Sequence, residues 1–272
     1  MNKDNFSHRL KELREQKQLS QEELVEVLSQ SHRAFLGVNQ VTVSQWERGK
    51  TIPSFVRRLG LASFFKVDYD FSIEEMGRVK SASKLMDQVF NQDAVYDYQI
   101  SHVEHATYAD ADPQRLALMC ALHKKLYGQD IGQIIERMSF RPASVVVLSF
   151  MRESVILGHV IYDGVTHTLL SVGAVSIVIR RRIFDYLAKH TNDMEFNFPT
   201  IDPAMAQFLY DLYLEPVGTQ HGLTCFRSSI KKVVENPFSQ TIQTRNDVYF
   251  KYIRYHDLKM KKKSIEFILG ET

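Results

Sequence analysis

The chain has 272 residues, 44% of them apolar and 24% charged, with a mean hydropathy of −0.24. These are the values of a folded globular protein with room for one large domain or two modest ones. No apolar run approaches the roughly 20 residues a membrane span requires. The polar start (Met1, Asn2, Lys3, Asp4, Asn5) does not read as a secretory signal, and two cysteines, Cys120 and Cys225, are too few to staple a secreted fold. The expected compartment is the cytosol.

The formal net charge of +2 divides unevenly. Residues 1–66 carry eleven Lys and Arg against seven Asp and Glu, a net of +4, while the other 206 carry 23 against 25. The basic excess lies at the N-terminus, where it would favour phosphates, although a difference of this size also arises by chance.

Over residues 5–18, Phe6, Leu10 and Leu13 recur at spacings of four and three, one face of an amphipathic helix. Ser20 with Glu23 forms a capping-box pattern, and Leu24, Val25, Val27 and Leu28 give the second helix its buried face. Asn39 caps a third helix with Val43 and Trp46 inward, stopped by Gly49. After Pro53 a fourth helix carries Phe55, Leu59, Ala62 and Phe65, all expected inside one bundle.

Two blocks, Leu19-Ser20-Gln21-Glu22-Glu23-Leu24 and Val41-Thr42-Val43-Ser44-Gln45-Trp46-Glu47-Arg48-Gly49-Lys50, then Pro53, resemble the DNA-binding domain of the lambdoid repressors and the wider Cro/CI (XRE-type) family. The resemblance implies that Gln21 anchors on a phosphate and that Gln40, Val41, Ser44 and Gln45 face base edges in the major groove. It also implies an Arg14–Glu47 salt bridge and places Lys50 near the DNA backbone. The chemistry agrees: Gln makes bidentate contacts to adenine and Val offers a surface for a thymine methyl, while backbone contacts fix register. Recognition helices read bases from their N-terminal end, which favours Gln40 and Val41 over Gln45. The chain departs from the family by about eight extra residues, roughly Ser29 to Phe35, before Gly37 and Val38. They either extend the second helix by about two turns or bulge as a loop, with His32 and Arg33 either reaching phosphates or simply solvated.

Over 72–90 the residues Ile73, Met76, Val79, Ala82, Leu85, Met86, Val89 and Phe90 predict an amphipathic helix that either joins the domains, pairs with a symmetry mate or packs on the second domain. Beyond it the texture turns to mixed α and β. A strand is expected over 96–108, then a helix opened by Asp112-Pro113 and stopped by Gly128, then a short helix over 131–138. Strands follow over 144–150, 155–162 and 169–179, a helix over 182–190, a strand over 194–198, a helix over 203–213 and a strand over 223–227.

That order, with the stretch from Phe208-Leu209-Tyr210 to Leu214-Glu215-Pro216-Val217-Gly218, resembles the GNAT (Gcn5-related acetyltransferase) fold. The resemblance implies a glycine-bearing loop that cradles the pyrophosphate of acetyl-CoA on backbone N–H groups. Here Arg180, Arg181 and Arg182 occupy that stretch as a degenerate ligand loop, with Arg182 and Phe184 where small residues belong. Tyr213 stands at the family's glycine before the strand, and Tyr210 lies within one residue of its general-acid tyrosine. A module used for sensing or assembly is expected, without catalytic residues or cofactor.

His102 and His105 meet on a helix but diverge on a strand, so no metal site is expected. The aromatic and basic tail, from Tyr249 to Lys263, reads as a solvated edge or a supplement to DNA binding. The expected fold class is multidomain: an all-α helix-turn-helix (lambda-repressor-like) N-terminal domain plus an α+β GNAT-like C-terminal domain. Its parts are 1–70, a connector over 71–94, 95–230 and an extension over 231–272. The expected partners are a double-stranded operator, a second copy in a homodimer, and a small-molecule or peptide effector, with no membrane and a nucleoid-associated cytoplasmic location. The alternatives are an active acetyl-CoA-dependent N-acetyltransferase fused to a DNA-binding domain and an antitoxin-like interaction regulator.

Overall fold

The computed structural model describes residues 1–76, 96, 99–191, 194–200, 203–220, 222–237 and 239–240. Helix α1 (Phe6–Gln16) buries Phe6, Leu10 and Leu13. Helix α2 (Gln21–Ser31) opens with the full capping box: Ser20 Oγ accepts from Glu23 N, and the Glu23 carboxylate accepts from Ser20 N at 2.7 Å. These bonds, the backbone one foremost, hold the Glu23 carboxyl below its usual range.

Both readings of the extra residues hold in part. Helix α2 continues to Ser31, and His32 then turns extended and caps a 3-10 turn, Arg33–Phe35, by accepting from Ala34 N through Nδ1 at 3.0 Å. Phe35, unassigned by the sequence reading, drops into the core at 1% exposed. Its burial contributes on the order of 2 kcal/mol, so the stretch is packed structure.

Helix α3 (Gln40–Glu47) is capped by Asn39 Oδ1, which accepts from Thr42 N and Thr42 Oγ1, both at 2.9 Å. Gly49 at φ 66° closes it: Gly49 N donates to Trp46 O at 3.1 Å and Lys50 N to Gln45 O at 3.0 Å. This is a Schellman motif, whose left-handed position glycine fills without strain.

Helix α4 (Phe55–Phe65) departs from expectation. Leu61 and Phe65 join the core of α1 to α3, which is built on Leu10, Leu24, Leu28, Phe35, Val43 and Trp46. Phe55, Leu59 and Ala62 instead join the core of the second domain. An element with apolar residues on two faces is buried between two bodies. Beyond it, Tyr69, Phe71 and Tyr96 stack edge to face with Phe55 or with one another at 5.2–6.2 Å, and Tyr69 N donates to Tyr96 Oη at 3.1 Å.

One charge lies within this junction. Arg58, 5% exposed, donates to Pro53 O at 2.6 Å, to Tyr69 Oη at 2.8 Å and to a carboxylate oxygen of Glu75 on α5 (Ile73–Met76). Burial opposes the cation, yet the bonds to Tyr69 and Glu75 outweigh it and hold the guanidinium above its ordinary pKa. Burial also pushes the Tyr69 hydroxyl well up. Past Met76 the expected connecting helix lies outside the described residues, as does the tail from 241 on.

The second domain is a mixed seven-stranded sheet: β1 (His102–Thr107), β2 (Val145–Arg152), β3 (Val155–Asp163), β4 (Thr168–Ala174), β5 (Glu195–Thr200), β6 (Glu215–Gln220) and β7 (Leu223–Ser229). The spatial order is β1-β2-β3-β4-β5-β7-β6, and among these pairs β4 and β5 alone are parallel. Helices α6 (Pro113–Tyr127) and α7 (Ile131–Arg137) follow β1, α8 (Ile177–His190) follows β4, α9 (Pro203–Asp211) follows β5 and α10 (Ile230–Glu235) follows β7. Side chains alternate across a strand. On β1, Glu104 meets Arg115 of α6 whereas His105 meets Tyr186 of α8, so α6 and α8 cover opposite faces.

Three boundaries differ most from the sequence reading, the first being β1, which starts at His102 rather than at 96. The strand expected to run to residue 179 ends at Ala174, and α8 starts at Ile177 rather than 182. The run Val175, Ile177, Val178, Ile179 has strand propensity. Ser176 overrides it by capping Ile179 N at 3.2 Å, and Ile179 and Ile183 then bury one helix turn apart. Strand β6 also forms as an element of its own, led by Tyr213 in the left-handed conformation, φ 59°.

Removing the partner of the buried arginine is expected to be severe. Glu75→Ala should cost about 3–5 kcal/mol of stability by leaving the Arg58 charge uncompensated, read as a lowered midpoint in urea denaturation.

Candidate nucleic-acid interface

A polar chain supports one face of α3 from below. Arg14 on α1 grips Glu47 at the end of α3 in a bidentate pair, Nε to Oε1 at 2.6 Å and Nη2 to Oε2 at 3.0 Å, and its Nη1 donates to Leu19 O at 2.7 Å. The side chains are 11% and 4% exposed. The Glu47 carboxylate, through its hydrogen bond first, raises the Arg14 pKa. Gln21 Nε2 donates to Glu47 Oε2 at 2.8 Å, and Gln40 Nε2 donates to Gln21 Oε1 at 2.7 Å. The chain therefore runs from a buried ion pair to an exposed amide at the start of α3.

This arrangement decides what each residue can present. Gln40 is exposed, with its Oε1 pointing away from the bond that Nε2 donates to Gln21, and Val41 beside it is 57% exposed. Ser44 and Gln45 are half-buried one turn on, and Lys50 is exposed just past the Schellman turn. All six residues expected at a DNA surface thus lie on α3, at its C-terminal turn, or at the start of α2. Sequence reasoning missed Arg48, which folds back on α3 by donating to Ser44 O at 3.1 Å. It also missed Arg57, whose guanidinium lies 5.9 Å over the Trp46 ring. Arg48 lies within the block that carries the resemblance but was given no role by it, and Arg57 lies outside that block.

The Helix-turn-helix family model matches residues 10–71. The N-terminal segment is similar to this helix-turn-helix family, which supports the XRE-type resemblance and a DNA-binding regulator. No curated protein and no solved structure matches the chain. The match runs from Leu10 within α1 through α4 and ends at Phe71, short of the sheet domain.

The remaining sequence-derived positions fall in the second domain. Arg180, Arg181 and Arg182 do not form a loop: they are the fourth to sixth residues of α8. The connection from β4 is only Val175 and Ser176, with no glycine to bring backbone amides against a phosphate. His102 contacts Ser101 Oγ at 2.9 Å and Glu104 at 3.3 Å, whereas His105 contacts Tyr186 Oη at 3.0 Å, so the two rings part to different faces of β1. Cys120 and Cys225 are free thiols, and burial raises the Cys120 pKa. Among the described residues no helix is long and apolar enough to cross a membrane.

The sequence reading also missed a buried polar group. Ser171 Oγ on β4 lies 2.9 Å from both His123 Nδ1 on α6 and His159 Nε2 on β3. A hydroxyl that donates to one neutral ring and accepts from the other is satisfied. The His159 ring packs against Gly173, where a Cβ would overlap Cε1, so glycine leaves the room the ring occupies. Burial foremost, and then the nearby His123, lower the His159 pKa from 6.5 to about 3.

The folded protein accepts that proton near pH 3 and the unfolded chain near 6.5. Stability contributed by this group is therefore complete above pH 6.5. It should fall as pH drops toward 3, by about 1.4 kcal/mol per pH unit. Chemical denaturation between pH 7 and 4 should show a shallower slope for His159→Asn than for the parent chain.

Proposed function

We propose that the protein is a sequence-specific transcription regulator that lays α3 in the major groove of DNA and reads bases with Gln40 and Val41. The observation that carries this reading is the polar chain Arg14–Glu47–Gln21–Gln40, which orients the Gln40 amide on the exposed side of α3 before any ligand arrives. A held glutamine loses little side-chain entropy on contact, and its free edge suits the N6 and N7 atoms of adenine. Val41 supplies the apolar neighbour for a thymine methyl, Ser44 and Gln45 extend the reading surface, and Gln21 and Lys50 meet phosphates and hold register. One such helix covers only a half-site. Two copies related by a two-fold axis are therefore proposed to bind an inverted repeat.

Selection of sites from random DNA should return a symmetric motif with half-sites about one helical turn apart. Gln40→Ala with Val41→Ala should cut discrimination between the selected site and scrambled DNA at least about tenfold, with melting temperature unchanged. Undiminished selectivity would remove the reading role from these residues.

For the second domain we propose a GNAT-like architecture used for dimer assembly or for sensing a small molecule or peptide. Two features support it: the strand order with a single parallel pair at β4–β5, and the contact of that pair through one registered position, Thr168 opposite Asn197. The enzymatic alternative draws on the same strand order. The two-residue, glycine-free step from β4 to α8 weighs against it, because bulky residues keep backbone amides from a pyrophosphate. Calorimetry with acetyl-CoA should give no stoichiometric heat, and tight binding would favour the acetyltransferase reading instead.

A further inference from the structure

The turn that joins the two helices of a helix-turn-helix is ordinarily three or four residues. Here α2 ends at Ser31 and α3 begins at Gln40, so eight residues separate them. A longer connection gives the recognition helix more ways to tilt, and its orientation has to be restored by contacts from elsewhere. The side chains of Phe35 and Val38, 1% and 8% exposed, anchor the floor of the turn. Arg57 on α4 holds its upper backbone from outside.

Arg57 Nε donates to Ala34 O at 2.9 Å and Nη2 donates to Leu36 O at 3.3 Å. The same guanidinium lies 5.9 Å over the indole of Trp46, an inward residue of α3 that is 3% exposed. One planar fork therefore touches both the connection leading into α3 and the core-facing side of α3 itself. Arginine suits this task, since its donors diverge in a rigid plane while its face stacks on an aromatic ring. The next residue, Arg58, turns into the junction with the second domain, where it bonds Tyr69 and Glu75.

We propose that Arg57 is a positioning residue that sets the tilt of α3 by clamping the long turn against Trp46, and thereby decides which base pairs Gln40 and Val41 reach. This rests on α3 being the recognition helix. The fork is occupied by two carbonyls and a ring, which distinguishes the role from that of a cation reaching for phosphate.

The test compares the parent chain with Arg57→Ala and Arg57→Lys. The lysine variant keeps the charge without the fork and serves as the folded control if alanine unfolds the domain. Binding is measured on the duplex selected by the parent chain and on the same duplex with its half-sites scrambled, across a series of salt concentrations. Both variants should lose roughly tenfold in selectivity, while the slope of log affinity against log salt stays unchanged. The protein has one tryptophan, so the emission of Trp46 should shift to the red in Arg57→Ala. A slope reduced by about 0.9 with selectivity kept would make Arg57 a phosphate contact and overturn the proposal. Variants as selective as the parent, with unshifted emission, would overturn it as well. A parent chain with no preferred site would instead refute the reading of α3 and take this role with it.

Discussion

Helix α4 is buried from both sides, and the placement of everything else follows from that. Leu61 and Phe65 close the small helical core, while Phe55, Leu59 and Ala62 lie against the aromatic junction and the sheet. The two cores therefore share a wall. The wall carries two adjacent arginines that diverge because successive residues on a helix are about 100° apart: Arg57 holds the turn before α3, and Arg58 holds Tyr69 and Glu75. Asp68 adds an ion pair to Arg152 of β2 at 2.9 Å, whose guanidinium lies 5.0 Å over Tyr96. The helix-turn-helix segment and the sheet domain are consequently joined by packed side chains.

The candidate interface shows why a reading surface needs a buried foundation. Gln40 alone would sample several rotamers in water, each at a cost in entropy to be recovered on binding. Its bond to Gln21, which is itself bonded to Glu47, transfers the rigidity of a nearly buried ion pair to an exposed amide. A pair buried to this degree is screened little by salt, so the orientation of the amide persists at ionic strengths that weaken contacts to phosphate.

Much of the N-terminal interface was legible in sequence because its signals are local. Ser20 with Glu23, Asn39, and Gly49 before Lys50 are caps and stops whose partners lie within five residues. The Arg14–Glu47 pair was legible by likeness to a family whose motif spacing it shares. In the second domain the element order was largely legible from periodicity and turn residues. The boundary between β4 and α8 was not, because β-branched residues suit either element and the Ser176 cap with the burial of Ile179 and Ile183 decided between them.

The sequence by itself determined that short capped helices precede a mixed α and β region, and which face of the third helix is polar. The tertiary structure alone decided that α4 divides its apolar residues between two cores, that Phe35 fills one of them, and that Arg57 reaches back over 21 to 23 residues to the turn. It also decided that His123, His159 and Ser171, from three elements, meet around one hydroxyl. The physical reason is common to all four. A cap or a periodicity is written in neighbouring residues, whereas the partner of a buried face, a fork of donors or an imidazole ring is chosen by the packing of segments distant in the chain.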